Sequence, residues 1–244
     1  LIAPEGYELL GSDMCSLEDR TKQHYMWDFD PDYVKEMMTD DFDPHIDLAM
    51  FAKAMKPEDA HNFKNATPEF KLKPLYKALG ALRKTYKQVN YSCVYGAGGA
   101  TVGRSAGVST HKGGLLVEAY WKRNWSVKAI AEAQVVKVSG GMKWLYNPVS
   151  GFWYSLRHEK DRFSTLNQGT GVYCFDMWVK KVKSKGLPII GQMHDEIIGL
   201  VKKGVRERAT SVCKWAVGEI NKELKLNREL DVDVQFGSSY AEIH

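Results

Sequence analysis

The chain has 244 residues, 44% hydrophobic and 26% charged, with a formal net charge of +4 at pH 7. This composition excludes a disordered or fibrous chain, and the length suffices for one large domain or two small ones burying about 70% of the unfolded surface. No apolar run approaches the ~20 residues of a membrane-spanning helix. The four cysteines, Cys15, Cys93, Cys174 and Cys213, form no CxxC pair, which points to a reducing compartment rather than a disulfide framework or zinc knuckle. No signal peptide opens the chain, and its start at Leu1 rather than methionine suggests a piece of a longer polypeptide.

Residues 7–12 read as a short strand running into Asp13, and Ser16 as the cap of a helix to about Met26. Asp30 before Pro31 and Asp43 before Pro44 mark two further helix starts, each with a capping carboxylate and a proline at the first helical position. A long helix is expected over about 68–95, ended by the glycines of Tyr95-Gly96-Ala97-Gly98-Gly99. Residues 101–137 look helical with an interruption at Gly113-Gly114. Residues 142–157 read as a hairpin turning at Asn147-Pro148-Val149-Ser150-Gly151. A helix follows with Val172, Phe175, Val179 and Val182 on one face, stopped by Gly186 and Pro188.

Two apolar strand candidates, 188–193 and 197–201, flank the polar turn His194-Asp195-Glu196. A helix near 204–221 buries Val205, Ala209, Val212, Ala216 and Ile220. Val232, Val234 and Phe236 alternate with Asp231, Asp233 and Gln235 in a last strand. This order predicts an α+β fold, an antiparallel sheet backed by helices with a helical insertion between Asp13 and the hairpin.

Charge is unevenly spread. Residues 13–47 are strongly acidic, whereas Lys71, Lys73, Lys77, Arg83, Lys84 and Lys87 follow one another with no acid between. Such a basic run is either a phosphate-binding face or a solvated helix face. Three constellations carry chemistry. Asp13 at a strand end and Asp195 at a hairpin tip could share divalent cations, because hard cations want oxygen ligands and phosphoryl chemistry uses paired ions. Taken singly, one is equally a helix cap and the other a turn. Arg83, Lys87, Tyr91 and Tyr95 recur every fourth residue, which keeps two cations and two rings on one helical face. Cations grip a triphosphate and rings stack on bases; the alternative is an amphipathic helix with a partly buried aromatic stripe.

In this order the three resemble the motifs of the family A DNA polymerases, which include bacterial DNA polymerase I and many phage replicative polymerases. Their motif A, Asp-Tyr-Ser-Gln-Ile-Glu-Leu-Arg, stands here as Asp13 to Arg20, with Asp13, Glu18 and Arg20 kept and Leu17 for isoleucine. Motif B, Arg-x-x-x-Lys-x-x-x-(Phe or Tyr)-Gly-x-x-Tyr-Gly, is matched by Arg83, Lys87, Tyr91, Tyr95 and Gly96, with Ser92 for the first glycine. Motif C is His194-Asp195-Glu196. The lead-in Ile2-Ala3-Pro4-Glu5, the pair Asp43-x-His45, the stretch Asn167-Gln168-Gly169-Thr170 and the closing Tyr240 to His244 are similar to family segments, the last to the phage enzymes. Met14 replaces a tyrosine, and Ser164 stands about where the family has asparagine.

The resemblance implies a palm at 1–26 and 141–244 and fingers at 27–140. It implies deoxynucleotide addition to a primer 3′-hydroxyl with two Mg²⁺ ions on Asp13, Asp195 and the Met14 carbonyl. Arg83, His45 and Lys87 would meet the phosphates, with Lys87 also the proton donor to the leaving group. Tyr91 would stack near the sugar and base, Tyr95 would guard the templating position, and Glu18 would exclude a ribose 2′-hydroxyl. Gln168, His194 and Glu196 would touch the primer–template. The expected partners are primer–template DNA, deoxynucleoside triphosphates and a thumb- or exonuclease-containing segment, since the family's thumb precedes motif A. No membrane partner is expected. The implied location is cytoplasmic, in a host bacterium if phage-encoded. The alternatives are a single-subunit RNA polymerase-like enzyme and a non-catalytic or partner-dependent DNA-binding subunit of a split polymerase. Glu18, Tyr91 and the glutamate ending motif C favour DNA synthesis over the first, and the paired aspartates favour catalysis over the second.

Overall fold

A computed structural model describes residues 1–244 and divides them into two compact units. The strands are β1 (Tyr7–Met14), β2 (Val136–Ser139), β3 (Met142–Tyr146), β4 (Trp153–Leu156), β5 (Ile189–Met193), β6 (Glu196–Lys202) and β7 (Val232–Gly237). The first helices are α1 (Leu17–Met26), α2 (Pro31–Met37), α3 (Pro44–Phe51), α4 (Pro57–Lys64) and α5 (Pro68–Lys71). Then come α6 (Pro74–Val94), α7 (Gly99–Ala106), α8 (Thr110–Arg123), α9 (Trp125–Ala133), α10 (Arg162–Ser184) and α11 (Arg206–Leu224). The fold is α+β. No helix is long and apolar enough to cross a membrane.

Unit 1 comprises Leu1–Tyr25, Tyr146–Tyr154 and Leu166–His244. Its four-stranded sheet has the order β5-β6-β1-β7, and every adjacent pair is antiparallel. Alternation along the central strands sends Leu10, Met14, Ile197 and Val201 into a core with Trp178, Cys213, Ala216 and Ile220. Leu9 and Ile198 face the other way, onto Ile243. Trp178 is fully buried, and its Nε1 donates to the Cys213 carbonyl at 3.1 Å, so the one polar atom of the indole is satisfied where α10 meets α11. Asn147 holds the turn after β3. Its Oδ1 accepts from the amides of Val149 and Ser150, and its Nδ2 donates to Thr170 Oγ1 at 2.8 Å on α10.

Unit 2 comprises Met26–Leu145 and Ser155–Thr165. Its helices close over Ile46, Leu48, Tyr86, Val89, Val102, Leu116 and Tyr120. Arg123 gathers part of the acidic stretch. It donates to both carboxylate oxygens of Asp47 at 2.9 Å and to Glu36 at 2.7 Å, and its guanidinium lies 3.8 Å from the Tyr33 ring centroid. A bidentate, ring-stacked arginine of this kind ties α2, α3 and α8 together.

Several expectations need correction. The Gly113-Gly114 pair does not interrupt a helix. It lies inside α8, where a Cβ on Gly113 would come within 2.2 Å of the Gly99 carbonyl oxygen and 2.7 Å of the Gly103 nitrogen. The glycine is there because α7 and α8 cross backbone to backbone. The expected 68–95 helix is cut at Pro74, which starts α6 and cannot donate to a preceding turn. Residues 136–137 are strand, not helix. They open a hairpin in which β2 pairs with β3 across Gly140-Gly141, both with positive φ, as a two-residue hairpin turn requires. Val172 is exposed rather than buried with Phe175 and Val179. Ser16 sits in the left-handed region at φ 48°, so it is a bend between β1 and α1 and lacks the extended backbone of an ordinary cap.

Candidate active site

Unit 1 concentrates acid at one end of its sheet. Asp13, near the end of the central strand β1, stands in register with Glu196 on β6 and with Asp233 on β7. Directly opposed residues share a face with Cβ atoms roughly 5 Å apart, and like charges so placed destabilise the sheet. Asp195 joins them from the two-residue turn between β5 and β6. There His194 takes a left-handed φ of 54°, and the Met14 amide donates to the Asp195 carbonyl at 3.1 Å, pinning the turn to β1. Partial burial pushes the Asp13 carboxyl up to about 6, and Asp195, Glu196 and Asp233 add to that shift.

No three His, Cys, Asp or Glu side chains close into a ready-made metal cage. The donor chemistry nevertheless fits Mg²⁺, which is commonly held by one or two carboxylates with water and substrate phosphate completing its shell. An excess of carboxylate beside Asp13 is what such a cation relieves.

The other unit 1 residues separate into two neighbourhoods. Glu18 on α1 and Gln168 on α10 are both exposed and meet at 3.5 Å, the edge of hydrogen-bond range. Beneath them Asn167 donates to the Glu18 carbonyl at 2.9 Å and accepts from Thr21 at 2.9 Å, which fixes α1 on α10. Glu196, by contrast, is only 6% exposed. It accepts from the Tyr240 hydroxyl at 3.2 Å and lies 3.4 Å from His244 Nδ1, whose ring stacks on Tyr240. Gly11 makes room for this: a Cβ there would meet the Ile243 carbonyl oxygen at 2.7 Å and Glu196 Oε1 at 3.1 Å. His194 is exposed, and the Met14 side chain is buried in the core.

Unit 2 carries the remaining residues. Arg83, Lys87 and Tyr91 lie along α6 with Tyr95 at its end, where Gly96 turns the chain at φ 72°. The opposite face of α6 buries Tyr86, Val89 and Cys93. Tyr91 is 52% and Tyr95 44% exposed, so these rings are not a buried stripe; exposed large apolar groups are the informative kind. The Lys87 ammonium lies 5.7 Å from the Tyr91 ring centroid. His45, in the first turn of α3, has its ring 6.0 Å from that of Tyr91 and its Nδ1 3.2 Å from Asn90 Nδ2. Arg83 donates through Nε to Asp43 at 2.6 Å.

Within unit 1, then, Asp13, Asp195 and Glu196 converge and Glu18 meets Gln168. Within unit 2, Arg83, Lys87, Tyr91 and His45 cluster. Three residues named in the sequence only as a cap, a motif member or a strand position make contacts there that the sequence does not reveal. Asp233 belongs to the acidic group, but its alignment with Asp13 depends on strand order. Asn167 and Asp43 act through contacts made 149 and 40 residues away.

No protein-family model matches the chain, and no curated protein matches it in sequence. Among solved structures of similar fold is the POL domain of Pol1 from M. smegmatis in complex with DNA primer-template and dNTP. The likeness has a TM-score of 0.71 at 20% identity, covering all of this chain and 42% of that one. The chain thus spans less than half of that structure's length, and over the whole of its own it has the polymerase fold of that POL domain.

Proposed function

We propose that the chain is the palm-and-fingers core of a template-directed DNA polymerase of the family A type, with unit 1 as palm and unit 2 as fingers. The observation that supports the reading most is the crowding of Asp13, Asp195, Glu196 and Asp233 at one sheet end, in a chain with the fold of a polymerase domain. Asp13 and Asp195 would hold two Mg²⁺ ions, with the Met14 carbonyl assisting. When bound, such ions acidify the primer 3′-hydroxyl and neutralise charge on the leaving pyrophosphate. Catalysis of this kind is mostly positioning and electrostatics, so the protein's own groups do the rest.

In unit 1, Glu18 would occupy the space of a ribose 2′-hydroxyl, with Gln168 holding the carboxylate. Gln168, His194 and Glu196 would contact the primer–template, Glu196 through the residues packed on it. In unit 2, Arg83 and His45 would bind the outer phosphates, and Lys87 would protonate the leaving group. Tyr91 would stack near the incoming sugar and base, and Tyr95 would guard the templating position. We further propose that a thumb-bearing segment, on the same or a separate polypeptide, holds the duplex, and that the protein works in the cytoplasm.

Replacing Asp195 with alanine should lower single-turnover primer extension by several orders of magnitude while duplex binding persists or tightens, since one negative charge leaves the phosphate site. Near-normal extension by Asp195→Ala would sink the proposal.

A further inference from the structure

We infer that Asp43 is a positioning residue that sets the Arg83 guanidinium for the nucleotide's outer phosphates, an inference resting on the phosphate-facing role of Arg83 proposed above. The two oxygens of Asp43 divide their work. Oδ1 caps α3, accepting from the His45 amide at 2.9 Å and the Ile46 amide at 3.1 Å. Oδ2 accepts from Arg83 Nε at 2.6 Å, across 40 residues of sequence. The cap needs only the first oxygen. The second is committed to a neighbouring helix.

The point of attachment matters. A guanidinium offers five N–H donors in a rigid plane. Asp43 takes the one at Nε and leaves the terminal Nη1–Nη2 fork, the edge that binds a phosphate bidentately. A free arginine side chain must lose much rotamer freedom on binding; anchoring Nε removes part of that cost beforehand. The same carboxylate orders the first turn of α3, which carries His45, and Asn90 Nδ2 on α6 donates to the Pro44 carbonyl at 3.1 Å and reaches His45 Nδ1 at 3.2 Å. One acid therefore fixes two of the groups assigned to the phosphates. Partial burial by itself would raise the Asp43 carboxyl. The Arg83 hydrogen bond and the Ile46 and His45 amides outweigh it and hold the group below the usual carboxylate range, so it is charged when it does this work.

Asp43→Asn separates the cap from the anchor. The amide oxygen can still cap α3, while its NH₂ faces the Arg83 N–H and cannot accept from it. The thermal unfolding midpoint of this variant should fall by only a few degrees, because the cap is kept and one partly exposed charge-assisted bond is lost. Calorimetric titration with dTTP and with inorganic tripolyphosphate, both with Mg²⁺, should show about tenfold weaker binding. In single-turnover extension the apparent dissociation constant for the nucleotide should rise about tenfold, with the maximal rate changed less than threefold. In an Arg83→Lys background, which keeps the charge but lacks the fork, Asp43→Asn should add no further loss.

If Asp43 merely neutralised Arg83, Asp43→Asn would tighten binding, and the inference would be overturned. It is equally overturned if Asp43→Asn binds normally while Arg83→Ala binds weakly, a result that leaves the polymerase reading standing. Unchanged triphosphate binding by Arg83→Ala would instead remove the phosphate role of Arg83 itself, and the positioning role with it.

Discussion

Asp13→Asn should make the protein more stable and inactive at once. Asp13 is flanked in register by Glu196 and Asp233 and faces Asp195, and burial with these charges raises its carboxyl from 3.8 to about 6. At neutral pH a displacement of that size corresponds to at most about 3 kcal/mol at ~1.4 kcal/mol per tenfold. Asp13 is only partly buried and keeps substantial contact with solvent, so screening reduces the stabilisation available from removing its charge to about 1 kcal/mol. The sign follows from linkage. A carboxyl with a raised folded pKa binds its proton more tightly in the native state, so stability from this group is highest below about pH 4. It declines between about pH 4 and pH 6 and stays low above. In EDTA at pH 8, Asp13→Asn should therefore melt about 2–4 °C above the parent, as ~1 kcal/mol does for chains of this length, and the gap should close near pH 4. Added Mg²⁺ should stabilise the parent by mass action and leave the variant nearly unmoved. Calorimetry across pH with EDTA or Mg²⁺ reads all three effects. A variant less stable than the parent in EDTA at pH 8, or one stabilised equally by Mg²⁺, would refute the picture of repelling carboxylates awaiting a cation.

Gly113→Ala should be severely destabilising, by about 3 kcal/mol or more, because its Cβ would overlap the Gly99 backbone at 2.2 Å and no side chain can give way; a urea midpoint near the parent's would show that α7 and α8 can part cheaply. Glu18→Ala should raise ribonucleotide use relative to deoxynucleotide use at some cost in rate, and Gln168→Ala should do so more weakly, since the two side chains meet only at 3.5 Å. Competition kinetics measure the ratio, and an unchanged ratio in Glu18→Ala would remove its assigned role. Tyr91→Phe should increase discrimination against dideoxynucleotides, because a protein hydroxyl can stand in for the missing 3′-oxygen; equal kcat/KM ratios in both proteins would contradict this.

The α+β class, the strand end bearing Asp13 and the hairpin turn bearing Asp195 were legible because they rest on local signals. Alternation marks β7, apolar runs mark β5 and β6, and Asp-Pro pairs start α2 and α3 with the capping bonds seen at Asp30 and Asp43. Local meaning failed where a residue serves a distant partner. Gly113 reads as a helix breaker in sequence, yet its use is a helix crossing. Asp233 looks like any outward residue of an alternating strand until the order β6-β1-β7 sets it beside Asp13. Asp43 announces its cap through Pro44, while its hold on Arg83 depends on α3 lying against α6. Val172 shows that a spacing compatible with a buried face does not guarantee burial.

The most direct test of polymerase function is single-nucleotide incorporation with protein in excess over a labelled primer–template at low salt, conditions that favour weak phosphate-mediated DNA binding. Four templates differing only in the templating base are each offered four separate deoxynucleotides with Mg²⁺, and the chain is tried alone and with a thumb-bearing polypeptide. A polymerase core extends the primer by one residue, chosen by the template, dependent on Mg²⁺ and lost in Asp13→Ala and Asp195→Ala. No extension under any of these conditions by protein that binds both DNA and nucleotide, or extension indifferent to the templating base, would contradict polymerase function.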